Sequence, residues 1–129
     1  MPHAAIHRRL GAVPKDKALL LTMINRAMIE VLKVLDDNHP VRISEYEADE
    51  FLIPNGASEN FTLIEATLFP GRSLKTKKAL YQTVVKGMGE LGVAPDDVRV
   101  VIYEVPLENW GLEGGKPASE IDLGFKVEI

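Results

Sequence analysis

The spacing of hydrophobic and polar positions switches several times along the chain, and the switches outline two similar halves. Residues 2–8 alternate around Ala4 and Ile6 as a short strand does. Further on, apolar residues at 20, 21, 24, 28, 31, 32 and 35 lie on one face of a helix, which Pro14 is expected to open. Asn38, His39 and Pro40 end that helix, and residues 41–47 alternate again. The second half starts with 61–69, a run of high β propensity. Pro70-Gly71-Arg72-Ser73 then makes a turn whose serine caps a second helix over 74–91, with Leu80, Val84 and Met88 on one stripe and Gly92 as its stop. After Pro95-Asp96-Asp97, residues 98–105 read as a mostly buried strand.

The halves also echo each other in detail. Lys17-Ala18-Leu19 with Thr22 matches Lys78-Ala79-Leu80 with Thr83, and Val41-Arg42-Ile43 matches Val98-Arg99-Val100. This predicts a single domain over residues 1–129 built from duplicated β-α-β units, about 2–47 and 61–105. The fold class is α/β (α+β), a four-stranded sheet with two helices on one face. The other face, taken to carry Leu63, Ile64, Val100 and Ile102, requires cover from identical subunits, hence a homotrimer. Residues 48–60, with Pro54-Asn55-Gly56, predict a small hairpin. The glycine-rich tail 106–129 ends in an apolar run over 123–129, expected to pair with a neighbouring subunit's sheet edge.

Composition narrows the class further. At 129 residues, 46% hydrophobic and 26% charged, the chain is large enough to bury its own core without a disulfide or structural metal. A net charge of −4 disfavours a nucleic-acid partner, and no apolar run approaches the ~18–20 residues needed to cross a bilayer. The absence of cysteine excludes a thiolate nucleophile and Cys-type metal sites. The first residues lack the apolar core of a signal peptide, so a cytoplasmic location is expected.

Glycine-rich phosphate loops, His-Glu-x-x-His and nucleophile elbows are absent. His3 and His7 share a strand face without a third ligand and read as surface histidines; neither metal nor cofactor is expected. Asp36-Asp37 and Asp96-Asp97 fall in helix-to-strand loops and read as turn chemistry. Pro2 is more informative. Removal of Met1 would free its secondary amine, and a free α-amine has a pKa of only ~7.7–8.0. Apolar burial and a nearby cation lower that value, which suits a general base. Arg72, at the opening of the second helix, offers a guanidinium fork beside unpaired N–H groups, a fit for a carboxylate. Trp110, in Glu108-Asn109-Trp110-Gly111, is a pocket wall or a subunit anchor, and the sequence leaves both open.

With Pro2, the duplicated unit and Pro-Gly-Arg-Ser at the second strand–helix turn, the chain resembles the tautomerase superfamily. The likeness is greatest to its malonate semialdehyde decarboxylase-like subgroup. It is carried by Phe61-Thr-Leu-Ile-Glu65, by Pro70-Gly-Arg-Ser-Leu-Lys-Thr-Lys-Lys78, by Pro95-Asp-Asp-Val98 and by Glu108-Asn-Trp-Gly111. The resemblance implies a homotrimer with active sites near subunit boundaries. It also implies that Pro2 is the catalytic proline, that Arg72 binds and polarises the substrate carboxylate, and that Trp110 is an aromatic wall. His39 stands where the decarboxylase places an aspartate that activates water, which argues against decarboxylation; here it would donate to the substrate oxygen or shuttle the proton. The second arginine common in relatives is replaced by Phe69 and Pro70, and Arg42 is the candidate substitute. The expected activity is tautomerisation of a small 2-oxo or enol carboxylic acid. The alternative is a non-catalytic ligand-binding or regulatory trimer of the same or a ferredoxin-like fold, distinguishable by strand order.

Overall fold

The computed structural model describes residues 2–129; Met1, and with it the expectation that it is removed, lies outside them. Strand β1 (His3–Arg9) leads through helix α1 (Lys17–Leu32) to β2 (Val41–Tyr46). The second unit repeats this with β3 (Thr62–Leu68), α2 (Leu74–Glu90) and β4 (Val98–Glu104). The sheet order is β2-β1-β3-β4. Strands β1 and β2 are parallel, β3 and β4 are parallel, and the two units join antiparallel through β1 and β3, with Ile6 opposite Ile64. A ferredoxin-like sheet would be antiparallel throughout, so the ferredoxin-like form of the alternative falls.

The repeat is real, but one of its sequence echoes is out of phase. Leu80 of α2 is 1% exposed, whereas Leu19, its partner in the Lys-Ala-Leu echo, is 52% exposed. The buried positions pair one residue later: Leu20 with Leu80, Ile24 with Val84, Met28 with Met88. Burial, which a helix sets every three or four residues, fixes the true register. Helix α1 also starts later than Pro14 suggests. Asp16 is its cap, its carboxylate accepting from the N–H groups of Ala18 and Leu19. Ser73 caps α2 as expected, accepting from Thr76 N–H.

Both helices cover the face that carries Ala4, Ile6, Ile64, Ala66, Val100 and Ile102. The expectation of an apolar open face is therefore corrected. Adjacent strand residues point to opposite sides, so Leu63 cannot share a face with Ile64. The open face instead carries a polar row across all four strands. Tyr46 Oη lies 2.7 Å from His7 Nδ1, and Tyr103 Oη donates to Glu65 at 2.6 Å. Between them, His7 Nε2 and Glu65 Oε1 are 2.8 Å apart, an ion-pair distance without a hydrogen bond's alignment. The apolar-cover argument for a trimer goes with it.

The connecting segments differ from expectation as well. Residues 48–60 hold only a 3-10 turn, Ala48–Glu50, and no hairpin. Asp97 pins this loop, accepting from the N–H and hydroxyl of Ser58 at 2.6 and 2.5 Å. A hairpin forms in the tail instead, between β5 (Gly111–Leu112) and β6 (Lys116–Pro117). Residues 123–129 form no strand and pack on their own chain. Phe125 stacks on Phe69, and the Ile129 oxygen accepts from Ser73 and Thr76 hydroxyls at 2.9 and 2.6 Å. Among the described residues no helix is long and apolar enough to cross a membrane.

Candidate active site

At one end of the sheet β1 begins while β3 and β4 end, and three of the sequence candidates meet there. Pro2 is buried and immediately precedes β1, whose first residue, His3, lies opposite Thr67 near the end of β3. The His3 ring meets the Trp110 ring edge-on at 5.2 Å, and Trp110 meets Phe69 edge-on at 4.8 Å. Arg72 Nη1 in turn donates to the Phe69 carbonyl at 3.3 Å. A continuous line of contacts thus runs Pro2–His3–Trp110–Phe69–Arg72.

Trp110 is held from several sides. Its indole N–H donates to Val105 O at 2.9 Å, and with Phe69 and Ala118 it centres a small second core. These contacts fix the ring on its own chain, at the end of the sheet where His3 and Phe69 lie.

Arg72 is the electrostatic centre. Its side chain is buried at 6% exposure, and beyond the single bond to Phe69 its Nε and Nη2 have no partner among the described residues. Burial pushes the guanidinium below its ordinary value, opposed by the Glu104 carboxylate. Glu104 is itself held by Lys77 Nζ at 3.0 Å. The guanidinium remains charged at any relevant pH, and desolvating it without a counter-ion is unfavourable. A carboxylate arriving as a ligand would resolve both deficits at once.

The structure separates the other two candidates. Arg42 stands on the open face of β2 beside β1, where its charge acts on His3. His39 turns the other way. Its Nε2–H donates to Leu35 O at 2.9 Å, and its ring lines a 330 Å³ groove against α1 with Leu21 and Asn25. That geometry ties the end of α1 to the sheet. Among the described residues no cluster of three His, Asp or Glu could hold a metal.

Sequence reasoning missed two residues of this line, Phe69 and His3. Phe69 was legible only as the occupant of a lost arginine's place. His3 carried no signal of its own, because its contact with Trp110 spans more than a hundred residues.

The comparisons with known proteins agree with this architecture. Residues 38–113 match the family model described as tautomerase enzyme. The chain is 44% identical over 48 residues to 2-hydroxymuconate tautomerase of Comamonas testosteroni, an alignment spanning 36% of this chain and 76% of the relative. That relative is therefore about half the length of this chain, the size of one repeat unit. A fused 4-OT, solved as a wild-type symmetric trimer, is 25% identical with a TM-score of 0.78, covering 90% of this chain and 95% of that one. Malonate semialdehyde decarboxylase shares the fold at 21% identity and a TM-score of 0.80, over 89% and 93% of the two chains. By sequence and by fold, the chain belongs to the tautomerase enzyme family.

Proposed function

We propose that this enzyme tautomerises a small 2-oxo or enol carboxylic acid, with Pro2 as general base and Arg72 as carboxylate anchor. The observation that carries the reading is the Arg72 guanidinium, buried and with two nitrogens unpartnered, at the start of α2. The substrate carboxylate pairs with the unpartnered nitrogens of the guanidinium fork, as planar anions do. That contact fixes the neighbouring carbons against Trp110 and within reach of the amine at the start of β1. In its neutral form the Pro2 amine removes a proton from one carbon or from the enol oxygen and returns it to another. Negative charge that builds on the oxygen meanwhile is stabilised by the cation.

The test is turnover of phenylenolpyruvate and 2-hydroxymuconate by the native protein, Pro2→Ala and Arg72→Ala, with an intact mass to establish that Pro2 is the first residue. Loss of a positioned general base lowers the rate about 10²–10⁴-fold. Equal rates for all three proteins would sink the assignment. We infer further that the enzyme works as a homotrimer, supported by the symmetric trimer of the fused 4-OT; sedimentation as a monomer at micromolar concentration would contradict it.

A further inference from the structure

The chain has three histidines, and their ring nitrogens are engaged very differently. His7 has Tyr46 at Nδ1 and Glu65 at Nε2. His39 spends its Nε2–H on Leu35 O. His3 is different: among the described residues nothing hydrogen-bonds either of its ring nitrogens, although the ring is held in place edge-on to Trp110. It is also the residue next to Pro2. A fixed imidazole with open nitrogens, at the start of the strand that carries the base, is placed to touch whatever the base acts on.

We propose that His3 is a catalytic residue of this site, donating its ring N–H to the substrate oxygen on which charge develops while Pro2 moves the proton. The inference rests on the tautomerase reading above. In the step, a C–H bond of the 2-oxo acid breaks and its proton goes to the prolyl nitrogen. The electron pair moves through the adjacent carbonyl to its oxygen, giving an enolate held by the His3 N–H. The prolylammonium then delivers the proton to the oxygen or to another carbon, and His3 ends unchanged. No other reactant is needed.

The surroundings suit a neutral donor. Burial, and then the Arg42 charge, lower the His3 pKa from its ordinary value. The groups that share its face are Arg42 and Tyr46 from β2, Thr67 and Glu65 from β3, Arg99 and Tyr103 from β4, and His7 and Arg9 along β1. Glu65 is the only carboxylate among them, and it is taken by His7 and Tyr103. A neutral imidazole is the better partner for an enolate, because its N–H is closer in acidity to the enol than an imidazolium is.

Two measurements decide it. The first is kcat and KM for phenylenolpyruvate with native protein, His3→Phe, His3→Gln and Pro2→Ala. Phenylalanine keeps an edge contact to Trp110 but has no donor, so kcat should fall about 10²-fold with KM little changed. Glutamine restores an N–H and should recover part of the loss. Native kcat in His3→Phe would overturn the proposal. The second is nitrogen NMR of the imidazoles during titration with pyruvate, which needs no turnover. Saturating pyruvate should move the His3 resonances and leave those of His7 and His39; unmoved His3 resonances would also overturn it. If Pro2→Ala works as well as native protein, the base assignment fails, and the pyruvate titration still judges His3.

Discussion

Each repeat unit buries one arginine near the end of its first strand, and the two are completed in opposite ways. Arg8, 1% exposed, donates through Nε to Glu45 at 3.1 Å and through Nη1 to the Pro14 carbonyl at 2.8 Å. Glu45 is held a second time by Lys17 Nζ at 2.8 Å. Arg72 has one long bond and two unpartnered nitrogens. The helix starts differ in the same sense. An aspartate, Asp16, sits at the positive end of α1, whereas the neutral Ser73 caps α2. The first unit thus satisfies its cation and its helix dipole internally; in the second the Ile129 oxygen already holds the Ser73 and Thr76 hydroxyls, and what stays incomplete is the Arg72 guanidinium with its two unpartnered nitrogens. Duplication supplied two similar frames, and the proposed chemistry uses the one whose arginine is left incomplete.

The largest test of this contrast exchanges the two effects. Arg72→Ala should cut turnover about 10²–10³-fold through loss of charge stabilisation. It should leave thermal stability unchanged or raised, because a desolvated cation is removed. Arg8→Ala should do the reverse, costing about 2 kcal/mol by leaving the Pro14 carbonyl unpaired and Glu45 with Lys17 alone. The folded fraction of that variant should keep its turnover. Melting curves and initial rates on both variants check the exchange, and parallel losses in both would erase the distinction.

A second test sharpens it by pH. The Lys17 hydrogen bond, opposed by burial and aided by the Arg8 charge, holds the Glu45 carboxyl below the usual carboxylate range. A folded value below the unfolded one contributes stability that is present above the unfolded value, about 4.3, and fades as pH falls through the folded one. Glu45→Gln should flatten that part of the acid unfolding curve. Arg72→Ala should leave the acid part unchanged.

Most of this frame was legible in the sequence, for physical reasons. Alternation at 62–68 and the stripe at 80, 84 and 88 record burial directly, since one face of each element is dry. The caps were half legible: Ser73 stood next to its helix, while Pro14 drew attention from Asp16 two residues on. The proposed site residues, Pro2, Arg72 and Trp110, stood out by residue type, which suggests only what they are able to do; their roles came from the resemblance. What the sequence hid depends on long-range pairing. Nothing near Arg8 says that it is buried, because its partners are a carbonyl six residues away and a glutamate on another strand. The tail looked like a strand for a neighbour because its apolar run is local, whereas its partners Phe69, Ser73 and Thr76 lie some fifty residues back.

That tail gives a third, smaller test. Gly71 has φ of +126°, and a β-carbon there would lie 3.2 Å from Val127 O and 3.3 Å from Glu128 Cγ. Gly71→Ala should cost more than about 1 kcal/mol, since both the backbone and the space oppose it. Removal of residues 123–129 should relieve the crowding but not the backbone strain, so the alanine penalty should shrink in the truncated protein. An unchanged penalty would mean that the tail does not rest on this turn.

The smallest effect on stability is expected from transplanting the first unit's solution into the second. Ser73→Asp keeps a side chain able to accept from Thr76 N–H, and aspartate and serine cap helices about equally, but a carboxylate cannot donate to the Ile129 oxygen as the Ser73 hydroxyl does, so stability should fall by no more than about 1 kcal/mol. Thr76 still holds the Ile129 oxygen. The new carboxylate, however, places a fixed negative charge at the start of α2, one residue from Arg72. It competes for the site that the substrate carboxylate would take and repels that carboxylate on approach. KM should rise severalfold while kcat at saturation stays near native, because the group that moves the proton is untouched. High salt should narrow the difference, as screening weakens the repulsion. A native KM in Ser73→Asp would show that the substrate's charge is met elsewhere, and the open cation of the second unit would lose its meaning.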